Sequence, residues 1–268
     1  MTQAIQTIPT GHYRLKDTVK SEVAKIVTLP STAIALGVTV VFCLLVTGLV
    51  ANSALHHGPD WYGGFDPTQR ALTGLIVAGL TGGVFGALLI TGEYSSGTIR
   101  ATLSATPRRP ILLTAKIAVT AAVTVAFSVL LSFVTFFLGQ AILSGGGAPS
   151  AGLGSPGAFR AVVMTGLFIA LLALMAFGFG LLFRSTAGAI GAFVGVVFVL
   201  PLVMRGISEP ATRYVPTNIL LNSIMATVNQ GPGGIVRPLS SPVGLSLMVV
   251  YAVIALAAGA VLFVTRDA

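Results

Sequence analysis

Charge is what this sequence has least of. Only 8% of its 268 residues are Asp, Glu, Lys or Arg, and 54% are hydrophobic. Soluble domains carry about a quarter charged residues, so with a mean hydropathy of +0.95 the chain reads as an integral membrane protein. Cysteine is nearly absent too. Cys43 has no second thiol to pair with, so an internal disulfide is excluded, and its place in an apolar run makes it a small hydrophobe. Histidine is scarce, and the His56–His57 pair near Asp60 is a poor metal site, because consecutive side chains diverge on most backbones. No G-x-x-x-x-G-K-[ST] loop occurs, since none of Lys16, Lys20, Lys25 and Lys116 follows a glycine. ATP and Mg must then be handled by another chain, and no cofactor or metal is expected in this one. The Gly- and Ser-rich run SGGGAPSAGLGSPG holds no G-x-S-x-G nucleophile elbow and reads as a flexible outer loop.

Long apolar runs are what the sequence has in plenty. Six suffice for a helix across a bilayer, which needs about 20 residues: Ser31–Ala51, Ala71–Thr91, Ile111–Leu143, Phe159–Phe183, Ala187–Met204 and Val243–Val264. The third is longer than required, so its first residues belong to the interface. The fourth and fifth are separated by Arg184, Ser185 and Thr186, a tight hairpin. The first run is too long for a signal-peptide core and lacks a clean cleavage site after it, so it reads as an uncleaved anchor. The middles of the spans hold no Asp, Glu, Lys, Arg or His, groups that proton- or sodium-coupled carriers keep in the membrane interior.

In a soluble protein the net charge of +8 would point to nucleic acid; here the basic residues set topology, and no nucleic-acid partner is expected. With the N-terminus inside, Arg14, Lys16, Lys20, Lys25, Arg100, Arg108, Arg109, Lys116, Arg184 and Arg266 fall on the cytoplasmic side. Arg70, Arg160, Arg205, Arg213 and Arg237 fall outside, ten against five. An even number of spans returns the C-terminus to the cytoplasm. Trp61, Tyr62 and Phe65 then stand in the first outer loop, where aromatic residues suit the interface.

Residues 1–30 form a tail and an amphipathic helix before the first span. Leu15, Val19, Val23 and Val27 recur every four residues with Ile26 beside them, and Arg14, Lys16, Asp17, Lys20, Ser21 and Lys25 take the other faces. Pro30 ends the segment. Such a helix lies in the cytoplasmic interface with its lysines near anionic lipid. Two readings stand: lipid contact alone, or a polar face that also meets a cytoplasmic protein.

The densest polar stretch is GEYSSGTIRATLSATPRRP, Gly92–Pro110, between the second and third spans. Ser95 or Ser96 can cap a helix from Thr98 to Thr106, which Pro107 stops. Ile99 and Leu103 share one face, Arg100 and Ser104 another. Glu93, the one acid here, calls for Arg100, Arg108, Arg109 or a partner's arginine. From the residues alone this is either a topology-setting basic loop or a docking turn.

The stretch GEYSSGTIRATLSATPRRPILLTAK resembles the loop after the second span of ABC-2 type transporter permeases, especially of the actinobacterial type. FRSTAGAIGA at Phe183–Ala192 and YVPTNILLNSI at Tyr214–Ile224 match in kind and order. The resemblance implies an all-α integral membrane protein. It would have a connecting helix, a six-span domain over 31–268, a short coupling helix after the second span, and outer re-entrant helices between spans five and six. It implies a membrane subunit of an ATP-driven exporter that works with a separate ATP-binding subunit and a second permease subunit, identical or different, in the cell membrane. Glu93, Tyr94, Ser95, Ser96, Gly97, Thr98, Ile99 and Arg100, with Leu103, would form or frame the contact with the ATPase. Arg14, Lys16, Lys20 and Lys25 would belong to the connecting helix. Gly79, Gly82, Gly83 and Gly86 of the second span, and Gly191 and Gly195 of the fifth, form small-xxx-small faces that either line the path and dimer interface or pack within one subunit. The run Pro201–Pro242 is either re-entrant or an ordinary outer loop. A hydrophobic or amphipathic substrate (drug, lipid or peptide) suits so apolar a path. The alternative from another class is a membrane enzyme or assembly factor that transports nothing.

Overall fold

The structure is a computed structural model that describes residues 15–56, 65–105, 109–226 and 239–265, all of the regular elements among them helical. Arg14, His57, Asp60, Trp61, Tyr62, Thr106, Pro107, Arg108, Arg237 and Arg266 lie outside the described residues. Helix α1 (Leu15–Thr28) leads through Leu29 into α2 (Pro30–Leu55). The second span is split: α3 (Pro67–Leu72) is a single entry turn, capped by Asp66 and followed by α4 (Leu75–Ser95). Helix α5 (Thr98–Ala105) crosses to α6 (Arg109–Gly145), then come α7 (Ala158–Phe183) and α8 (Thr186–Val194). Among the described residues six stretches are long and apolar enough to span a bilayer, each containing a run read from sequence and extending it by one or more residues.

Helix α7 is the hub. It packs against α4, α6 and α11 (Ser241–Thr265), and its 18-residue apolar window is 72% buried. Lipid-like faces fall elsewhere: on α2 the exposed residues Ile34, Val38, Val41, Leu45 and Leu49 form one stripe. Along α6 the buried side is a ladder of hydroxyls, Thr120, Thr124, Ser128, Ser132 and Thr135. Ser128 and Ser132 each donate a 2.7 Å hydrogen bond across to α7, to the carbonyls of Gly166 and Val162. These hydroxyls are small enough to let the helices close and carry the donors that apolar surroundings leave no water to meet.

The fifth span does not run straight. After α8, residues Gly195–Val199 widen into a π-helical turn, followed by α9 (Leu200–Ile207), the 3-10 turn Glu209–Tyr214 and α10 (Pro216–Ser223). The chain then comes back: the Thr217 hydroxyl donates to the Val197 carbonyl in the π turn, and Ile219 and Leu220 are buried, facing Gly244 of α11 and Gly79 of α4. The described part of this segment, through residue 226, thus folds back on the bundle as short helices. Around its end, Arg160 donates to the carbonyls of Met225 and Ala226 at 3.0 and 2.9 Å and to the Ser241 hydroxyl, while Asp66 accepts from Ala226 N at 2.9 Å.

The glycines of α4 serve packing inside this chain. Gly79 faces Leu220 and Leu172, Gly82 faces Ile169, Gly83 is covered by the Phe193 ring, and at Gly86 a Cβ would collide with the Ala173 carbonyl. Gly191 and Gly195 of the fifth span have nothing within 4 Å of a Cβ position. We expect Gly86→Val to wedge α4 from α7 and cost about 1–3 kcal/mol or more, seen as a lower melting temperature and loss of monodispersity in detergent. Gly37→Val on α2, with nothing within 4 Å, should melt as the parent does.

Candidate functional site

The end of the bundle that carries α1 and α5 holds a four-charge junction. Lys116, on the second turn of α6, is 3% exposed, and its Nζ donates to Glu22 Oε2 of α1 at 2.8 Å and to Glu93 Oε1 of α4 at 2.5 Å. Lys25 Nζ sits across the same carboxylates, 2.8 Å from Glu22 Oε1 and 3.3 Å from Glu93 Oε1. Two acids and two bases alternate around the junction, so no net charge is buried. Burial acts against the Lys25 ammonium, but its hydrogen bond to Glu22 and the charge of Glu93 prevail, and its pKa stands above the ordinary 10.5. A raised lysine pKa stabilises fully below 10.5 and is lost as pH rises through the folded value, so this contact holds across the neutral range.

This corrects the pairing expected of Glu93. Glu93 pairs with Lys25 and Lys116, not with Arg100 or Arg109; Arg109 instead donates to the Val264 carbonyl at 3.1 Å, near the end of α11. Arg100 is exposed, on the far side of α5 from the carboxylate. The valine stripe of α1 does not face the bundle: Thr18 and Glu22 are buried at 8% and 6%, while Val23 and Val27 are 41% and 76% exposed. The helix is held by its polar side because only that side meets the buried ammonium. Glu22 went unread as a site residue. Its signal was the spacing to Thr18 and Lys25 on one face, together with the need of Lys116, in an apolar helix, for carboxylates.

Ser95 and Ser96 do not cap α5. Helix α4 runs on through Ser95, and both hydroxyls donate back to the Gly92 carbonyl, at 3.1 and 2.8 Å. The break comes at Gly97, whose φ of +72° is a left-handed conformation that glycine adopts without a Cβ clash. Helix α5 then lies across the end of the bundle. Ile99 is 3% exposed and packs with Ile90, Leu112, Leu113, Phe177, Leu181 and Phe263; Leu103 and Tyr94 border the same cluster. Ser95, Ser96, Gly97, Thr98, Arg100, Ala101 and Ser104 are exposed on the other side. The turn therefore divides into an inward set, Glu93, Tyr94, Ile99 and Leu103, and an outward set centred on Arg100. Arg184, at the α7–α8 corner with φ of +53°, stacks over the Tyr94 ring at 5.6 Å and donates to the Leu262 carbonyl. Of the connecting-helix lysines, Lys16 and Lys20 are exposed and Lys25 is turned to the junction.

Removing one partner from a buried ion set leaves uncompensated charge. Lys116→Met should destabilise the protein by about 3–5 kcal/mol and release α1 to proteolysis. The triple change Lys116→Met, Glu22→Gln, Glu93→Gln should recover most of that loss, measured by denaturant melts in detergent.

The geometry is that of a membrane bundle with a small amphipathic helix fastened across one end by ion pairs. The family model for ABC-2 family transporter protein matches residues 61–268. No curated protein matches the chain. The matched region takes in all of the bundle from α3 onward, including the α4–α5–α6 turn and the α9–α10 segment, and the chain belongs to the ABC-2 family of transporter proteins, as the membrane permease of an ABC transporter.

Proposed function

We propose that this permease is the membrane subunit of an ATP-driven exporter and that α5 is its coupling helix. The observation that carries this is the two-sidedness of α5. Ile99 and Leu103 seat it on the bundle, and Thr98, Arg100, Ala101 and Ser104 are exposed on the other side, where Thr98 and Ser104 make only local hydrogen bonds to Ser96, Glu93 and Arg100. In this reading the α1–α5 end is cytoplasmic, in keeping with the excess of basic residues there, and the outward face of α5 enters a cleft of a separate ATP-binding subunit. That subunit binds ATP and Mg.

Movement of the ATPase pushes α5. Glu93, two residues before the end of α4, and Lys116, on the second turn of α6, pass the push to both spans, and Glu22 draws α1 along with them. At the other end, the exit is closed by α10 and the Arg160 and Asp66 contacts around Ala226. A second permease subunit, identical or related, completes the path. Gly191 and Gly195, bare within the protomer, together with exposed Val199, Leu202 and Val203, support a close approach there. The apolar spans suit a hydrophobic or amphipathic cargo.

The test is purification of the tagged chain from its own membranes in mild detergent, with ATP hydrolysis measured in the eluate. The parent should bring down ATPase activity. Arg100→Glu should reduce it about tenfold, the equivalent of 1.4 kcal/mol of binding, with the melting temperature unchanged. A parent chain that recovers no ATPase activity, or an Arg100→Glu variant that recovers it in full, would sink the coupling assignment.

A further inference from the structure

Helix α1 has three sectors. At 3.6 residues per turn, Thr18, Glu22, Lys25, Ile26 and Val19 form the side that meets the bundle, the first two buried and the rest half-buried. Asp17, Ser21, Ala24 and Thr28 share a second, exposed sector with one acid and two hydroxyls. The third holds Lys16, Lys20, Val23 and Val27, all exposed and within about 60° of one another by the same geometry. Two cations interleaved with two bare valines suit neither open water nor a dry protein contact. They suit an interface where hydrocarbon begins and anions lie just above it, so that lysine stems cover apolar surface while the ammonium groups reach out.

The placement of α1 agrees with this. Leu29 alone separates it from α2, whose exposed stripe starts at Ile34. Its bond to Lys116 sets it level with the second turn of α6, and its bond to Glu93 sets it level with the last turn of α4. Helix α1 therefore lies alongside the span ends rather than beyond them.

We propose that the Lys16–Lys20–Val23–Val27 sector is a binding surface for anionic phospholipid. Val23 and Val27 enter the acyl boundary and Lys16 and Lys20 hold the phosphate headgroups. The ion junction fixes one side of α1 to the bundle and the lipid fixes the other. Anionic lipid thus sets how firmly α1 is held. The proposal rests on the chain being a multi-pass membrane protein and not on the ATPase assignment.

The test uses the full chain in nanodiscs of phosphatidylcholine alone or mixed with phosphatidylglycerol, without ATP or any partner, and reads hydrogen exchange along α1. Each lysine near an anionic surface contributes roughly fivefold in binding. The α1 amides should therefore be on the order of tenfold better protected in the anionic discs, less so at high salt. In Lys16→Gln/Lys20→Gln the two lipids should give equal protection, and in Asp17→Asn/Ser21→Ala the difference should remain. Equal protection of the parent in both discs would overturn the proposal, as would a lipid difference that survives in the lysine variant. Since no ATPase is present, failure of the coupling assignment leaves these readings unchanged.

Discussion

One buried ammonium organises the end of the molecule where its elements converge. Lys116 is nearly without solvent, and an unpaired charge in such a place is prohibitive. It is tolerable because Glu22 and Glu93 reach it from two other helices and Lys25 restores neutrality. Each of α1, α4 and α6 is therefore committed to one position relative to the others. Helix α5 inherits that geometry, because it hangs between Gly97, just past the end of α4, and the start of α6, with Ile99 sunk into the cluster below. A helix of eight residues could not hold such a place unaided.

Much of the rest of the bundle follows the complementary rule, that inside an apolar medium a polar group needs a partner within the protein. In α6, Ser128 and Ser132 find it on α7, while Thr124 and Thr135 donate back to their own helix. At the other end Gln140 meets it by donating to the Pro67 carbonyl and accepting from Ala151 N, and Asp66 caps α3 while holding Ala226. The Val197 carbonyl, which would have only Pro201 as an α-helical partner, takes a hydrogen bond from Thr217. Both ends are thus closed by polar contacts, ion pairs between side chains at one and Arg160, Asp66 and Gln140 bonded to backbone groups at the other, around a middle that offers few charges.

That division bears on transport. The middles of the spans hold no carboxylate or histidine to carry a coupling proton, so a mechanical input at an end is the natural way to drive such a bundle. Family membership supplies the matching expectation of an ABC ATP-binding subunit. The rigid α1–α4–α6 junction is suited to pass displacement into two spans at once.

Local chemistry was enough to specify much of this chain. Apolar run length determined six spans, because a helix must cross the hydrocarbon in about 20 residues. Pro107 and the Ile99/Leu103 spacing were enough to read a short amphipathic helix from Thr98, but its start is set by the Gly97 break and not by the serine cap read from the sequence. Pairing was another matter. Nothing in the spacing of Glu22, Glu93 and Lys116 along the chain says that they meet, since the contact spans 94 residues from Glu22 to Lys116. Periodicity grouped the valines of α1 on one face without saying what it meets, and the buried charge decides which side of the helix turns inward. The same holds for the glycines. Small-xxx-small faces were legible in both α4 and the fifth span, yet only tertiary structure decided that those of α4 are filled by Leu172, Ile169, Phe193 and Ala173 while Gly191 and Gly195 stand open. Periodicity reports which residues share a face; what that face meets is settled when the helices assemble.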